Sequence, residues 1–177
     1  LSVAAGVLCC VGLSYATSTP SILLSLVLPC LGLALLYLFR FQDIQSVSRD
    51  LAISLFGLLY IPLLLSHAVL LRALPEGRAW IFLVLFVVMA SDSMAYFVGR
   101  TWGKTRLYEA VSPKKTIEGS LGGLAGGVLG ALICKLVFFA ELGAVDIFLL
   151  GLGVGAFSQI GDLVESLLKR SFGVKDS

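Results

Sequence analysis

Asp162, Glu165, Ser166 and Lys169 recur at i, i+3, i+4 and i+7, on one face of a helix expected to run from Gly161 to Asp176. Ser158 lies on the same stripe one turn earlier. Two carboxylates one turn apart can share a hard divalent cation through oxygen, leaving its other positions to water and phosphate oxygens. Lys169 and Arg170 follow, where such a helix would reach water. A solvated helix end laced with intrahelical ion pairs has the same spacing. Asp162, however, is preceded by uncharged residues back to Asp146, which sets it below a membrane boundary. Holding a charge there costs roughly 2.5–3.5 kcal/mol on insertion scales, so an acid in that place has a function to perform.

Two further strings carry chemistry. Asp92, Ala95, Tyr96 and Gly99 share a helical face. That face offers a carboxylate and a phenol either to a neighbouring helix or to a site. In Ser112-Pro113-Lys114-Lys115-Thr116-Ile117-Glu118-Gly119, Ser112 reads as an N-cap and Pro113 as the first helical residue. A helix N-terminus carries partial positive charge, and Lys114 and Lys115 add to it, making a seat for phosphate. Thr116 and Glu118 accompany the lysines, which a simple basic membrane anchor would not require. Carboxylates for a divalent metal and cations for phosphate oxygens are together what phosphoryl-transfer chemistry needs.

These residues must be positioned by a membrane bundle. Of the 177 residues, 58% are hydrophobic and 14% charged, well outside the range of soluble domains. Segments 21–39 and 51–71 contain no Asp, Glu, Lys or Arg, and each is about the 20 residues needed to cross a bilayer core. The pattern predicts an all-α, polytopic transmembrane helical bundle. Its six spans fall at about 1–15, 21–40, 51–72, 79–99, 119–139 and 146–168. Residues 1–91 read as N-terminal transmembrane helices and 92–177 as the catalytic transmembrane region.

Gly122, Gly123, Gly126, Gly127 and Gly130 in span five, and Gly151, Gly153 and Gly155 in span six, read as small residues for close helix packing. Cys9, Cys10, Cys30 and Cys134 lie in apolar spans without metal-ligand or disulfide spacing. His67 is assigned no role. The chain opens at Leu1 and closes at Ser177 just after a charged cluster, and is expected to be a fragment of something longer. Leu1 to Tyr15 lacks a basic n-region, so it reads as a truncated first span and not as a signal peptide.

Orientation follows from the basic residues. If the spans alternate, Arg40, Arg49, Arg100, Lys104, Arg106, Lys114, Lys115, Lys169, Arg170 and Lys175 share one side, and Arg72, Arg78 and Lys135 the other. Ten against three places the charged strings on the cytoplasmic face, where nucleotides are found.

The same residues resemble the bacterial phosphatidate cytidylyltransferase family, also called CDP-diacylglycerol synthases. The family signature begins Ser-x-x-Lys-Arg, then four residues, then Lys-Asp, and here Ser166 to Asp176 follow it. Ser158 to Glu165, Asp92 to Arg100 and Ser112 to Gly119 are similar to family blocks in the same order, while residues 1–91 match only as apolar spans. The family signature continues beyond this point into Pro-Gly-His-Gly-Gly and Asp-Arg-x-Asp, so part of the metal site is expected outside this chain.

The resemblance implies transfer of CMP from CTP to phosphatidate, giving CDP-diacylglycerol and pyrophosphate in an inner membrane, with the active face cytoplasmic. It implies magnesium held by Asp162, Glu165 and Asp176, with a second cation left open. It makes Asp162, Lys169, Arg170 and Asp176 the catalytic group. Ser112, Lys114, Lys115, Thr116, Glu118, Ser166, Lys175, Asp92 and Tyr96 would serve the substrates. CTP, phosphatidate and the bilayer are the implied partners. A homodimer is compatible with the pattern, and nothing points to nucleic acid. A CTP-dependent polyprenol or phytol-type lipid kinase would need the same cations and metal. An ion-coupled transporter would use intramembrane acids, but no internal repeat accompanies them.

Overall fold

The computed structural model describes residues 2–15, 19–40 and 44–173. They form six helices: α1 (Ser2–Ser14), α2 (Thr19–Arg40), α3 (Val47–Ala73), α4 (Gly77–Trp102), α5 (Ile117–Val137) and α6 (Ala144–Ser171). Between α4 and α5 lies a hairpin of β1 (Arg106–Tyr108) and β2 (Ser112–Thr116). Helices α2 to α6 are long and apolar enough to cross a membrane. At about 1.5 Å per residue, the 13 residues of α1 fall short of a bilayer core of about 30 Å. The chain is a multi-pass helical membrane bundle, helical because a backbone in hydrocarbon must satisfy its own hydrogen bonds.

By its internal contacts the chain divides into two compact units, 1–77 and 78–177. The line drawn from motif onset at residue 92 falls inside α4. In the first unit Cys9 and Leu13 of α1, Leu33 of α2 and Leu58 of α3 are buried together. The Tyr37 hydroxyl ties α2 to α3 through a hydrogen bond with Ser54 Oγ at 3.0 Å. His67 lies in α3, within this unit.

The second unit is α4, the hairpin, α5 and α6. Glycines let its helices meet. A Cβ built on Gly122, Gly126 or Gly130 would lie 2.6, 2.6 or 2.9 Å from side-chain atoms of Val98, Met94 or Ala90, an antiparallel seam with α4. One on Gly127 would lie 2.4 Å from the carbonyl oxygen of Gly151 on α6. Gly153, expected to pack in the same way, has nothing within 4 Å of its Cβ position. It lies off the seam because two residues turn a helix by about 200°. At one end of the unit Leu83, Val87, Ala131, Cys134, Phe139, Leu142 and Ile147 form a buried cluster. The Trp80 ring packs edge-on to Phe139 there at 4.8 Å.

The local fold differs from the sequence reading at two places. Ser112 and Pro113 do not open α5. They lie in β2, which pairs antiparallel with β1 through Arg106 with Thr116 and Tyr108 with Ser112. Thr116 is the N-cap, its Oγ1 accepting the Gly119 N–H at 3.1 Å. Both Ser112 and Thr116 can cap a helix, and strand pairing with a distant segment decides between them. The last helix stops at Ser171, short of Asp176. Phe172 and Gly173 turn their N–H groups back to the carbonyls of Leu168 and Arg170, at 3.1 and 3.0 Å, and Gly173 takes a left-handed φ of 70° that glycine adopts without strain.

Candidate active site

A cavity of about 500 Å³ opens where the C-terminal half of α4, the hairpin, the start of α5 and the second half of α6 converge. The α4 face contributes Asp92, Ala95, Tyr96, Gly99 and Arg100, the stripe read from the sequence extended by one residue, Arg100. The hairpin contributes Leu107, Lys114, Lys115 and Thr116. Gly119 and Ser120 come from α5, and Gln159 and Asp162 from α6.

Close backbone approach shapes this corner. A Cβ on Gly103 would fall 2.7 Å from Thr116 Oγ1, and one on Gly119 would fall 2.8 Å from the Ala95 carbonyl oxygen. The end of α4 therefore lies directly against the capped start of α5. Glu118 fixes the strand that follows: its carboxylate accepts the backbone N–H of Lys104 at 3.1 Å and of Thr105 at 3.2 Å. The Thr105 carbonyl accepts the Ile117 N–H at 3.0 Å. On the far side Arg170 Nε donates to the carbonyl of Val111 in the hairpin turn. The hairpin is thus anchored at its base by α5 and at its turn by α6, and it presents both lysines to the cavity.

Charge in the wall is mixed. Lys115 Nζ lies 2.5 Å from Asp162 Oδ2, and the Asp92 carboxylate is within electrostatic reach of both. Arg100 Nη1 donates to the Tyr96 hydroxyl at 2.7 Å, with its guanidinium 6.0 Å from the centre of that ring. Among the described residues no carboxylate comes within 4 Å of Arg100 or Lys114. Three cations against two carboxylates leave one net positive charge, which favours an anion. Gln159 is held across α5, its Nε2 donating to the Ser120 carbonyl at 3.1 Å and its Oε1 accepting from Ser120 Oγ.

Of the residues selected from the sequence, the structure brings Asp92, Tyr96, Lys114, Lys115, Thr116 and Asp162 to one cavity. Ser112 is in β2 away from its lining, and Glu118 faces the β1 approach. Glu165 forms an i,i+4 ion pair with Lys169 at 2.8 Å outside the cavity, and Ser166 and Arg170 are likewise not part of its wall. Lys175 and Asp176 lie outside the described residues. The structure adds Arg100, Ser120 and Gln159 to the wall. Gln159 sits three residues before Asp162, so the helical spacing already contained it; Ser120 carries no such signal.

Among the described residues no three His, Cys, Asp or Glu side chains cluster as a metal site. Magnesium is commonly held by one or two carboxylates plus substrate phosphates. Asp162 and Asp92, both on the cavity wall, fit that mode.

Comparison with known proteins gives the chain's relatives. The Cytidylyltransferase family matches residues 2–177. A phosphatidate cytidylyltransferase of Bacillus subtilis is 39% identical over 120 residues, 67% of this chain and 45% of the relative. One of Synechocystis sp. is 35% identical over 193 residues, 92% of this chain and 64% of the relative. One of Aquifex aeolicus is 34% identical over 152 residues, 85% and 54%. The chain thus spans roughly half to two thirds of the length of the curated relatives it matches. With a match that runs through every helix and through the hairpin that carries the lysines, the chain belongs to the cytidylyltransferase family.

Proposed function

We propose that this chain carries the substrate cavity of a phosphatidate cytidylyltransferase, which transfers CMP from CTP to phosphatidate and releases pyrophosphate. One observation carries the reading: three cations and two carboxylates line a single cavity at one end of helices long enough to cross a bilayer. Relatives named phosphatidate cytidylyltransferase support it. The excess of basic residues on the cavity side of the spans supports a cytoplasmic mouth in the inner membrane.

In the reaction an oxygen of the lipid phosphate attacks the α-phosphorus of CTP. The new P–O bond forms as the bond from the α-phosphorus to the bridging oxygen breaks, and that electron pair leaves on pyrophosphate. A phosphate anion is already a competent nucleophile, so the protein's work is positioning and charge neutralisation. Arg100 is suited to bidentate capture of a phosphate, and Tyr96 orients it. Lys114 supplies a mobile point charge. Gln159, locked by Ser120, offers a fixed amide edge on the wall. Asp162 and Asp92 would hold magnesium, which when bound neutralises triphosphate charge and polarises the phosphoryl oxygens.

The test is a labelling experiment on the protein in lipid nanodiscs with phosphatidate and magnesium. Label from the α-phosphate of CTP should enter the lipid, and pyrophosphate should appear. Transfer of the γ-label to a lipid alcohol would establish a kinase instead. Asp162→Asn should lower turnover by at least about 100-fold, and normal turnover would remove Asp162 from the metal site.

A further inference from the structure

Lys115 and Asp162 form the one ion pair in the cavity wall among the described residues, at 2.5 Å. The other pair on α6, Glu165 with Lys169, is an i,i+4 pair outside it. The Lys115 side chain is 27% exposed and Asp162 54%, so the pair faces the opening and is not sealed in the core. Its two members come from different elements, β2 and α6. The cavity's other cations are disposed differently. Arg100 is bonded to the Tyr96 hydroxyl, and Lys114 has no carboxylate within 4 Å among the described residues.

An ammonium this close occupies one of the two Asp162 carboxylate oxygens, and a divalent cation bound to the same carboxylate would be repelled by it. Lysine can move: its charge sits on a flexible four-carbon stem with three rotatable donors. Building on the CTP–magnesium reading above, we propose that Lys115 is an exchanging counter-ion, holding Asp162 in the ligand-free protein and passing to nucleotide phosphate when a divalent cation takes Asp162.

A metal arriving alone must displace Lys115 into a wall that already contains Arg100 and Lys114, where the one remaining carboxylate, Asp92, would itself be drawn to the metal. A metal arriving with a triphosphate supplies an anion to receive Lys115. The two ligands are therefore coupled through one side chain, and by linkage each must strengthen the other equally. Lys115 also keeps the carboxylate pair of Asp162 and Asp92 from collecting free divalent cations, which would otherwise occupy the site without substrate.

The experiment measures Mn²⁺ binding by electron paramagnetic resonance, with no nucleotide, to the protein in nanodiscs. Lys115→Met should bind Mn²⁺ about tenfold or more tightly than wild type, the equivalent of losing one close competing cation. Lys114→Met removes the same formal charge without the ion pair and should change affinity by less than about threefold. Adding Asp162→Asn to Lys115→Met should abolish the gain. Equilibrium dialysis with labelled CTP and saturating magnesium should show the opposite sign, Lys115→Met binding CTP at least about tenfold more weakly. Lys115→Gln, neutral but polar, serves as a second variant, and each protein's elution as a monodisperse species checks folding. Equal Mn²⁺ affinity in wild type, Lys115→Met and Lys115→Gln would overturn the exchange while leaving the CTP reading intact. Failure of the wild type to bind CTP with magnesium would overturn both.

Discussion

Glu118 receives the backbone N–H of Thr105 on both carboxylate oxygens, at 3.2 Å each. With Lys104 added at 3.1 Å, an acid placed by sequence among substrate-binding residues acts on the chain itself. It joins the first turn of α5 to the segment leading into β1.

Glu118→Ala should therefore loosen the hairpin and misplace Lys114 and Lys115 without removing a charge from the cavity wall. Small displacements of positioning groups can cost up to about a hundredfold in rate. The expected result is a fall of that order in kcat/KM for CTP, with Glu118→Gln intermediate because its amide oxygen still accepts. Hydrogen exchange at the Lys104 and Thr105 amides should accelerate in step, and unchanged exchange would remove the clamp.

Arg100 tests the anion site directly. Hydrogen bonds to charged groups contribute about 1.5–3 kcal/mol, so Arg100→Met should raise KM for an anionic substrate by about tenfold or more. Arg100→Lys should recover little, because an ammonium lacks the planar two-donor edge. Tyr96→Phe removes only the 2.7 Å bond that orients Arg100 and should have a smaller effect. Steady-state kinetics with each substrate varied in turn reads all three.

Two glycines one turn-fraction apart should behave oppositely. A Cβ on Gly151 would lie 2.5 Å from Val128 Cα, backbone that cannot swing aside. Gly151→Ala should therefore cost about 1–3 kcal/mol, as overpacking does. Gly153 has open space at its Cβ position, and Gly153→Ala should be neutral or stabilise by up to about 1 kcal/mol through helix propensity. Thermal unfolding in detergent distinguishes them.

Ser91 is fully buried in α4, and among the described residues its Oγ has no hydrogen-bond partner. Removing an unsatisfied buried hydroxyl relieves a desolvation penalty of about 1–3 kcal/mol. Ser91→Ala should accordingly leave the protein as stable or more so. A measurable loss of stability would show that the hydroxyl is bonded in the membrane.

What could be read from the chain was whatever depends on short-range pattern. Long, largely apolar runs marked α2 to α6, and i, i+4 spacing put Asp92 and Tyr96 on one face. What escaped depends on height and on partners distant in sequence. Asp162, Glu165, Ser166 and Lys169 do share a face, but 7 residues advance about 10 Å along a helix axis. Only the first reaches the cavity, while α6 continues past it towards the hairpin turn. The hairpin itself was hidden because β1 has only three residues, too few for a period-2 signal, and because Ser-Pro is also a good helix opening. Gln159 and Ser120 form a pair across two helices, which spacing within one helix cannot reveal.

The glycine seams have a consequence for traffic. Where Gly126 meets Met94 and Gly127 meets Gly151, even an added methyl group would clash, so no gap there is wide enough for a hydrocarbon tail. An amphiphile with its head in the cavity cannot thread a fatty chain between α5 and either neighbour at these seams, so its tails must leave by another side.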